Sequence, residues 1–204
     1  MRYPIARGLI FMLAGAAACS SDPTSAGDGG RPSSDLNILR VASTAPALFN
    51  PEANFYAVQG QDREVRISFQ DATGLEGEEF LRLRVRPGSL QSNPDGTPIA
   101  PGDSVLITVR VENPDSILFE MEPAGLTFSP AEPAELKIHY AHADHDFNDD
   151  GTINTFDDQI KTQLAIWRQE TLSDPFTKLG SVNVEDSEEI NADILGFTRY
   201  AIAY

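Results

Sequence analysis

Residues 146–157 read DFNDDGTINTFD, with oxygen-bearing side chains at alternating places through the first half. Counted as a twelve-position loop, Asp146 stands first, Asn148 third and Asp150 fifth. Gly151 is sixth, where a sharp turn needs positive φ, and Thr152 is seventh, where the backbone carbonyl is the donor. Ile153 supplies an apolar eighth residue and Asp157 closes the loop. Oxygens spaced in this way converge because the glycine folds the chain back, and hard oxygen donors suit Ca²⁺. The alternative for the same residues is an acidic turn held by side-chain-to-backbone hydrogen bonds.

All three histidines precede this loop: His139, His142 and His145, with Asp144 among them. Imidazole suits zinc or copper, but the spacing is not helical here. His139 falls on the outward face of a strand with Lys137, and the other two fall in the turn after it, so solvated or hydrogen-bonded histidines are expected. The chain has no G-x-S-x-G elbow, no G-x-x-x-x-G-K-[ST] phosphate loop and no H-E-x-x-H pair. No base stands beside a nucleophile in a recognisable pattern, so the expectation is a protein that is not an enzyme.

The elements that must carry the loop are strands. Val65, Ile67 and Phe69 alternate with Arg66, Ser68 and Gln70, and Leu81, Leu83 and Val85 alternate with Arg82, Arg84 and Arg86. Val105, Ile107, Val109 and Val111 form a third row, Leu136, Ile138 and Tyr140 a fourth, and Ile190, Ala192 and Ile194 a fifth. Period-two alternation puts one face on a core and the other in water. Turn clusters such as 93–103 (NPDGTPIAPGD) and 113–116 (NPDS) separate the rows. The predicted fold is an all-β antiparallel sandwich over residues 37–204, able to fold alone, with one short helix within 155–163 after the acidic loop at 144–158. Its length of 204 residues suits one such domain.

Charge narrows the partners. With 31 acidic against 15 basic residues, the formal charge of −16 argues against nucleic acid, which requires a basic surface to displace phosphate counterions. The opening nineteen residues carry Arg2 and Arg7, an apolar run from Gly8 to Ala18, and then Cys19, the only cysteine. Such a run is too short to span a bilayer stably and is laid out as an export signal, residues 1–18. Residues 19–36 are rich in Ser, Gly, Pro and Asp and read as a flexible tether with a reach of roughly 20–25 Å.

Three resemblances add to this. The small residues Ala16, Ala17 and Ala18 abutting Cys19 resemble a bacterial lipoprotein signal, although Ala16 stands where Leu is usual. The resemblance implies that Cys19 is lipidated, and Ser20 after it resembles an outer-membrane sorting signal. The alternative is an ordinary secretory signal cut after Ala18. The acidic loop resembles a dockerin repeat more than an EF-hand, because its last residue is Asp. Dockerins carry two copies and this chain carries one. A shorter closing carboxylate implies weak affinity, on the order of 10⁻⁴ to 10⁻³ M.

The segments FLRLRVRPGSL (80–90), EPAGLTFSPAEPAELKIHYA (122–141), LAIWRQE (164–170) and ILGFTRYAIAY (194–204) resemble, in that order, the strands and corners of bacterial ZU5-like domains. That resemblance covers residues 63–204 and implies a non-enzymatic sandwich that contacts another protein of the envelope or cell surface. Some such domains self-cleave beside a His-Phe-Ser triplet. Here the triplet is Gly196-Phe197-Thr198, which lacks the activating histidine. A second reading is a carbohydrate-binding or adhesion module, with Tyr56, Trp167 and Phe176 as candidate sugar contacts.

Overall fold

Alternation along the chain resolves into thirteen strands and one helix in the computed structural model, which describes residues 30–204. In chain order the strands are β1 (Glu52–Val58), β2 (Arg63–Gln70), β3 (Glu76–Val85), β4 (Leu90–Ser92), β5 (Ser104–Val111), β6 (Leu118–Glu122), β7 (Thr127–Phe128) and β8 (Ala134–His139). Helix α1 (Thr155–Lys161) follows, then β9 (Ala165–Gln169), β10 (Thr177–Lys178), β11 (Ser181–Val184), β12 (Glu189–Ile194) and β13 (Arg199–Ala203). One sheet has the order β1-β5-β6-β13-β9-β10, and the second has the order β11-β12-β8-β3-β2. A small β4-β7 pair stands beside them, and the pairings within all three sheets are antiparallel. The fold is an all-β antiparallel sandwich with one short helix. The signal segment, Cys19 and the first part of the expected tether lie outside the described residues.

Register places the apolar rows against one another. In the five-stranded sheet Val65 faces Leu83, Leu83 faces Leu136 and Leu136 faces Ala192. The next row runs Ile67, Leu81, Ile138 and Ile190. Opposite them lie Ile107, Val109, Met121, Phe119, Tyr200 and Ile202, all in one core. Phe80 of β3 stacks 4.7 Å from Phe69 and 5.2 Å from Phe119, so one aromatic string crosses between the sheets. Burial of this apolar surface is the main stabilising term.

The outer face of the five-stranded sheet is a lattice of ion pairs. Glu79 stands between Arg66, at 3.1 Å, and Arg82, at 3.7 Å, while Arg86 reaches Glu135 at 3.0 Å. Lys137 meets Glu189 at 3.0 Å. The arginine row is a charge-balanced, half-exposed face, and such pairs contribute little stability each.

Ser68 keeps the phase of its row, opposite Glu79 of the ion-pair face, and is nonetheless buried, its Oγ donating to Glu76 at 3.0 Å. The register shifts on either side of Ser68 put the extra residues in β3, where Phe80 and Leu81 are buried in succession. One expectation needs correction. The tether was expected to run through residue 36. Instead Arg31 and Phe176 exchange backbone hydrogen bonds of 2.8 and 2.7 Å, Ser33–Asp35 form a 3₁₀ turn, and Leu36 is buried. Leu36 joins Leu118, Ala165, Trp167, Phe176, Ala201 and Ala203 in a second apolar cluster, outside the six-stranded sheet. Residues 31–36 are therefore a strap on the folded domain.

Candidate functional site

The acidic loop is delivered by the crossing from β8 in one sheet to β9 in the other. Tyr140, buried at the end of β8, donates its hydroxyl to Asn183 Oδ1 at 2.8 Å. Asn183 donates in turn to the carbonyl of Lys161 at 2.8 Å, and Lys161 Nζ meets Glu188 at 2.7 Å. These contacts hold the far end of α1 against the five-stranded sheet. The near end begins with a capping box: Asn154 Oδ1 accepts the N–H of Phe156 at 2.8 Å, and Asp157 accepts the N–H of Asn154 at 2.8 Å. Such reciprocal caps satisfy amides that the first helical turn leaves free.

Within the loop, one side chain organises the turn. Asp146 accepts the N–H of Asp150 at 3.1 Å and that of Gly151 at 2.8 Å. Gly151 has φ +84°, and Asp149 before it has φ +60°, so the chain doubles back there as the spacing required. Asn148 donates to Asp150 at 3.1 Å and accepts its N–H at 3.0 Å. Asp150 takes the hydroxyl of Thr152 at 2.6 Å and its N–H at 2.9 Å. Those bonds, the hydroxyl foremost, hold the Asp150 carboxyl below the usual carboxylate range. Asp146, Asn148, Asp150 and Thr152 are gathered on one turn.

Asp157 stands differently. It was expected as the closing ligand, yet it is 1% exposed and spends its carboxylate on the backbone. Oδ1 accepts from Phe147 at 2.8 Å and from Asn148 at 3.3 Å, while Oδ2 accepts from Asn154 alone. The loop is thus closed from within, its two ends pinned to one carboxylate. Asn154 was missed, although the Asn-x-x-Asp spacing of 154–157 carries the capping signal. Arg40 was also missed, because no local pattern joins it to residues more than a hundred positions away. Its guanidinium pairs with Asp144 at 3.2 Å and with Asp149. Tyr204 donates its hydroxyl to the Phe147 carbonyl, and burial, with Asp149 nearby, pushes that phenol up. Between these residues and Asp146 lies a cleft of about 80 Å³.

No family model, curated protein or solved structure matches the chain.

The histidines take separate partners. His139 lies 3.4 Å from Glu79 and 3.9 Å from Glu189, His142 3.1 Å from Glu78, and His145 3.8 Å from Glu188. His142 also packs edge-on to Phe69. Among the described residues, no group of three or more His, Cys, Asp or Glu is arranged as a metal centre. Of the candidate sugar contacts, Trp167 and Phe176 are buried, whereas Tyr56 is 62% exposed on β1, opposite Leu106 at 48%. Thr198 of the Gly-Phe-Thr triplet is buried, its hydroxyl 3.4 Å from the Arg199 carbonyl.

Proposed function

We propose that the chain is a non-enzymatic envelope lipoprotein: a ZU5-like sandwich, tethered through Cys19 to the outer membrane on its periplasmic or surface side. It acts as a structural or protein-interaction module with one calcium ion bracing the β8–β9 crossing. The calcium reading rests on a single observation, the turn that gathers Asp146, Asn148, Asp150 and Thr152 around a positive-φ glycine. The donor chemistry fits a hard cation: two carboxylates, an amide oxygen and a backbone carbonyl. Asp157 Oδ2, with one amide hydrogen bond, keeps a lone pair for the ion, whereas Oδ1, with two, does not. Asp157 is thus at most a single-oxygen donor, which supports weak binding in the range expected of extracellular modules.

Bound Ca²⁺ would neutralise the loop carboxylates and fasten the two sheets together at this end. Binding stabilises by mass action, about 2.7 kcal/mol at a hundredfold excess over Kd. A melt in millimolar Ca²⁺ should therefore run higher than one in chelator, and Asp146→Ala or Asp150→Ala should remove the difference while the sandwich stays folded. Equal melting temperatures with no heat of binding would reduce the loop to an acidic turn. Mg²⁺ should substitute weakly, since it resists dehydration and wants octahedral geometry.

The tether is tested separately. Cys19→Ser should move the protein from the detergent phase to the aqueous phase, because a lone cysteine behind small residues is the acylation point. Identical partitioning of mutant and wild type would remove the lipoprotein reading. The carbohydrate-binding alternative draws on Tyr56, an exposed ring on β1 with Asn54 two residues before it and Thr108 paired with Asn54. Glycan-array binding lost in Tyr56→Ala would favour it, and capture of a defined envelope protein from native membranes would favour the first.

A further inference from the structure

We propose that residues 31–36 are a detachable latch on the outer face of the six-stranded sheet, opening on its own and baring Trp167 while the sandwich stays folded. The strap is held unevenly. At its entry Arg31 makes the backbone pair with Phe176, and its guanidinium sits 5.2 Å from the Trp167 ring centre. Residues 32–35 are exposed, and a single side chain, Leu36, is seated. The contact from Gln169 Nε2 to Ser33 Oγ is long, at 3.4 Å. Beyond Leu36 the attachment changes character. Leu39 donates to the Ile202 carbonyl at 2.9 Å and accepts from Ile117 at 2.8 Å, which stitches it into the sheet. Asn37, whose carbonyl accepts the Tyr204 N–H at 3.3 Å, and Ile38, bridged to Ala203 and packed on the same cluster, begin the fixed segment, so the hinge falls at the Leu36–Asn37 junction.

What lies beneath does not need the strap to hold its place. Trp167, 1% exposed, donates its indole N–H to the Ala203 carbonyl at 3.1 Å, within the sheet itself. Lys178, on β10, approaches the same ring at 5.9 Å. The small side chains of Ala165, Ala201 and Ala203 leave a trough in which the indole and Leu36 lie together. Lifting the strap frees the Arg31–Phe176 backbone pair, the Arg31–Trp167 contact and the long Gln169–Ser33 bond; water can replace the backbone bonds, and Gln169 keeps the carbonyls of Leu172 and Asp174 as acceptors. Its cost is the hydration of Leu36, Trp167 and their apolar neighbours, well short of unfolding the main core. Because Arg31–Phe176 is the N-terminal anchor of the strap, a pull on the strap from its N-terminal side loads that pair first and peels the strap toward its hinge. The latch couples displacement of that part of the chain to exposure of an apolar stripe.

Trp167 is the single tryptophan, so its fluorescence reports the latch directly. The test uses the full-length chain, with amide hydrogen exchange and acrylamide quenching. In wild type, the amides of Arg31 and Phe176 should exchange at least roughly tenfold faster than those of β3 and β8, the signature of a local opening. Leu36→Asp should raise the quenching constant several-fold and red-shift the emission, with the strand spectrum and a single cooperative melt retained. Exchange of Arg31 and Phe176 at the rate of β3 and β8 would overturn the proposal. So would a Leu36→Asp protein whose tryptophan is as shielded as in wild type. Arg31→Ala, which removes the guanidinium and leaves the backbone pair, should give a smaller rise in quenching; no rise in either variant also counts against the latch.

Discussion

Replacing Asp157 by alanine is expected to lower stability by about 2–4 kcal/mol, a fall in melting temperature of roughly 5–15 °C for a domain of this size. The carboxylate is buried and accepts three backbone N–H groups, from Phe147, Asn148 and Asn154. Alanine leaves all three without a partner; a fully buried orphan costs on the order of 1–3 kcal/mol, and the amides of Asn148 and Asn154, only part-buried, recover much of their loss from water. The loop ends part once their common acceptor is gone. Phe147, packed near Tyr204 and His145, then loses its seat. Asp157→Asn should recover a fraction, because its carbonyl oxygen still accepts while its NH₂ group faces amide donors. Asp158→Ala, one residue on and exposed, is the control and should stay within about 0.5 kcal/mol of wild type. Thermal melts in chelator isolate this effect from any metal. An Asp157→Ala protein that melts with the control would show that the carboxylate does not hold the loop.

The second large effect concerns where the domain begins. A chain starting at residue 37 should fold but melt below one starting at residue 30, by about 1–3 kcal/mol, or roughly 2–10 °C. The truncation removes Leu36 from the second cluster and Arg31 from both Phe176 and Trp167. The gain from burying them is offset by the entropy of ordering six residues, which keeps the net figure modest. Tryptophan emission should shift to the red only in the shorter protein. Identical melting curves and emission spectra for the two would return residues 31–36 to the tether.

The sandwich was legible because the inner strands of the five-stranded sheet each have one wet face. β8, and β3 from Leu81 onward, are buried on alternate residues, so Leu81, Leu83, Leu136 and Ile138 carry a clean period of two. β9 and β13 lack that signal: Ala165, Ile166 and Trp167 run buried in succession, as do Tyr200 to Ala203. Their outer face is covered by the strap, and a strand buried on both sides has no polar phase to read. The loop was legible for a related reason. Its turn is built by neighbours in sequence, and Gly151 with the Asp146–Thr152 spacing is a local instruction. Residue order thus determined the strands, the turn and its donors, since each depends on interactions within a few positions. Tertiary structure alone decided that Asp157 turns inward to cap backbone amides, that Arg40 answers Asp144 and Asp149, and that Leu36 covers Trp167. The Arg40 and Leu36 contacts join segments far apart in the chain, and Asp157, whose partners are within ten positions, is buried only by the packing around the loop; the free energy that selects these arrangements comes from desolvation and charge pairing that exist only once both sheets have closed.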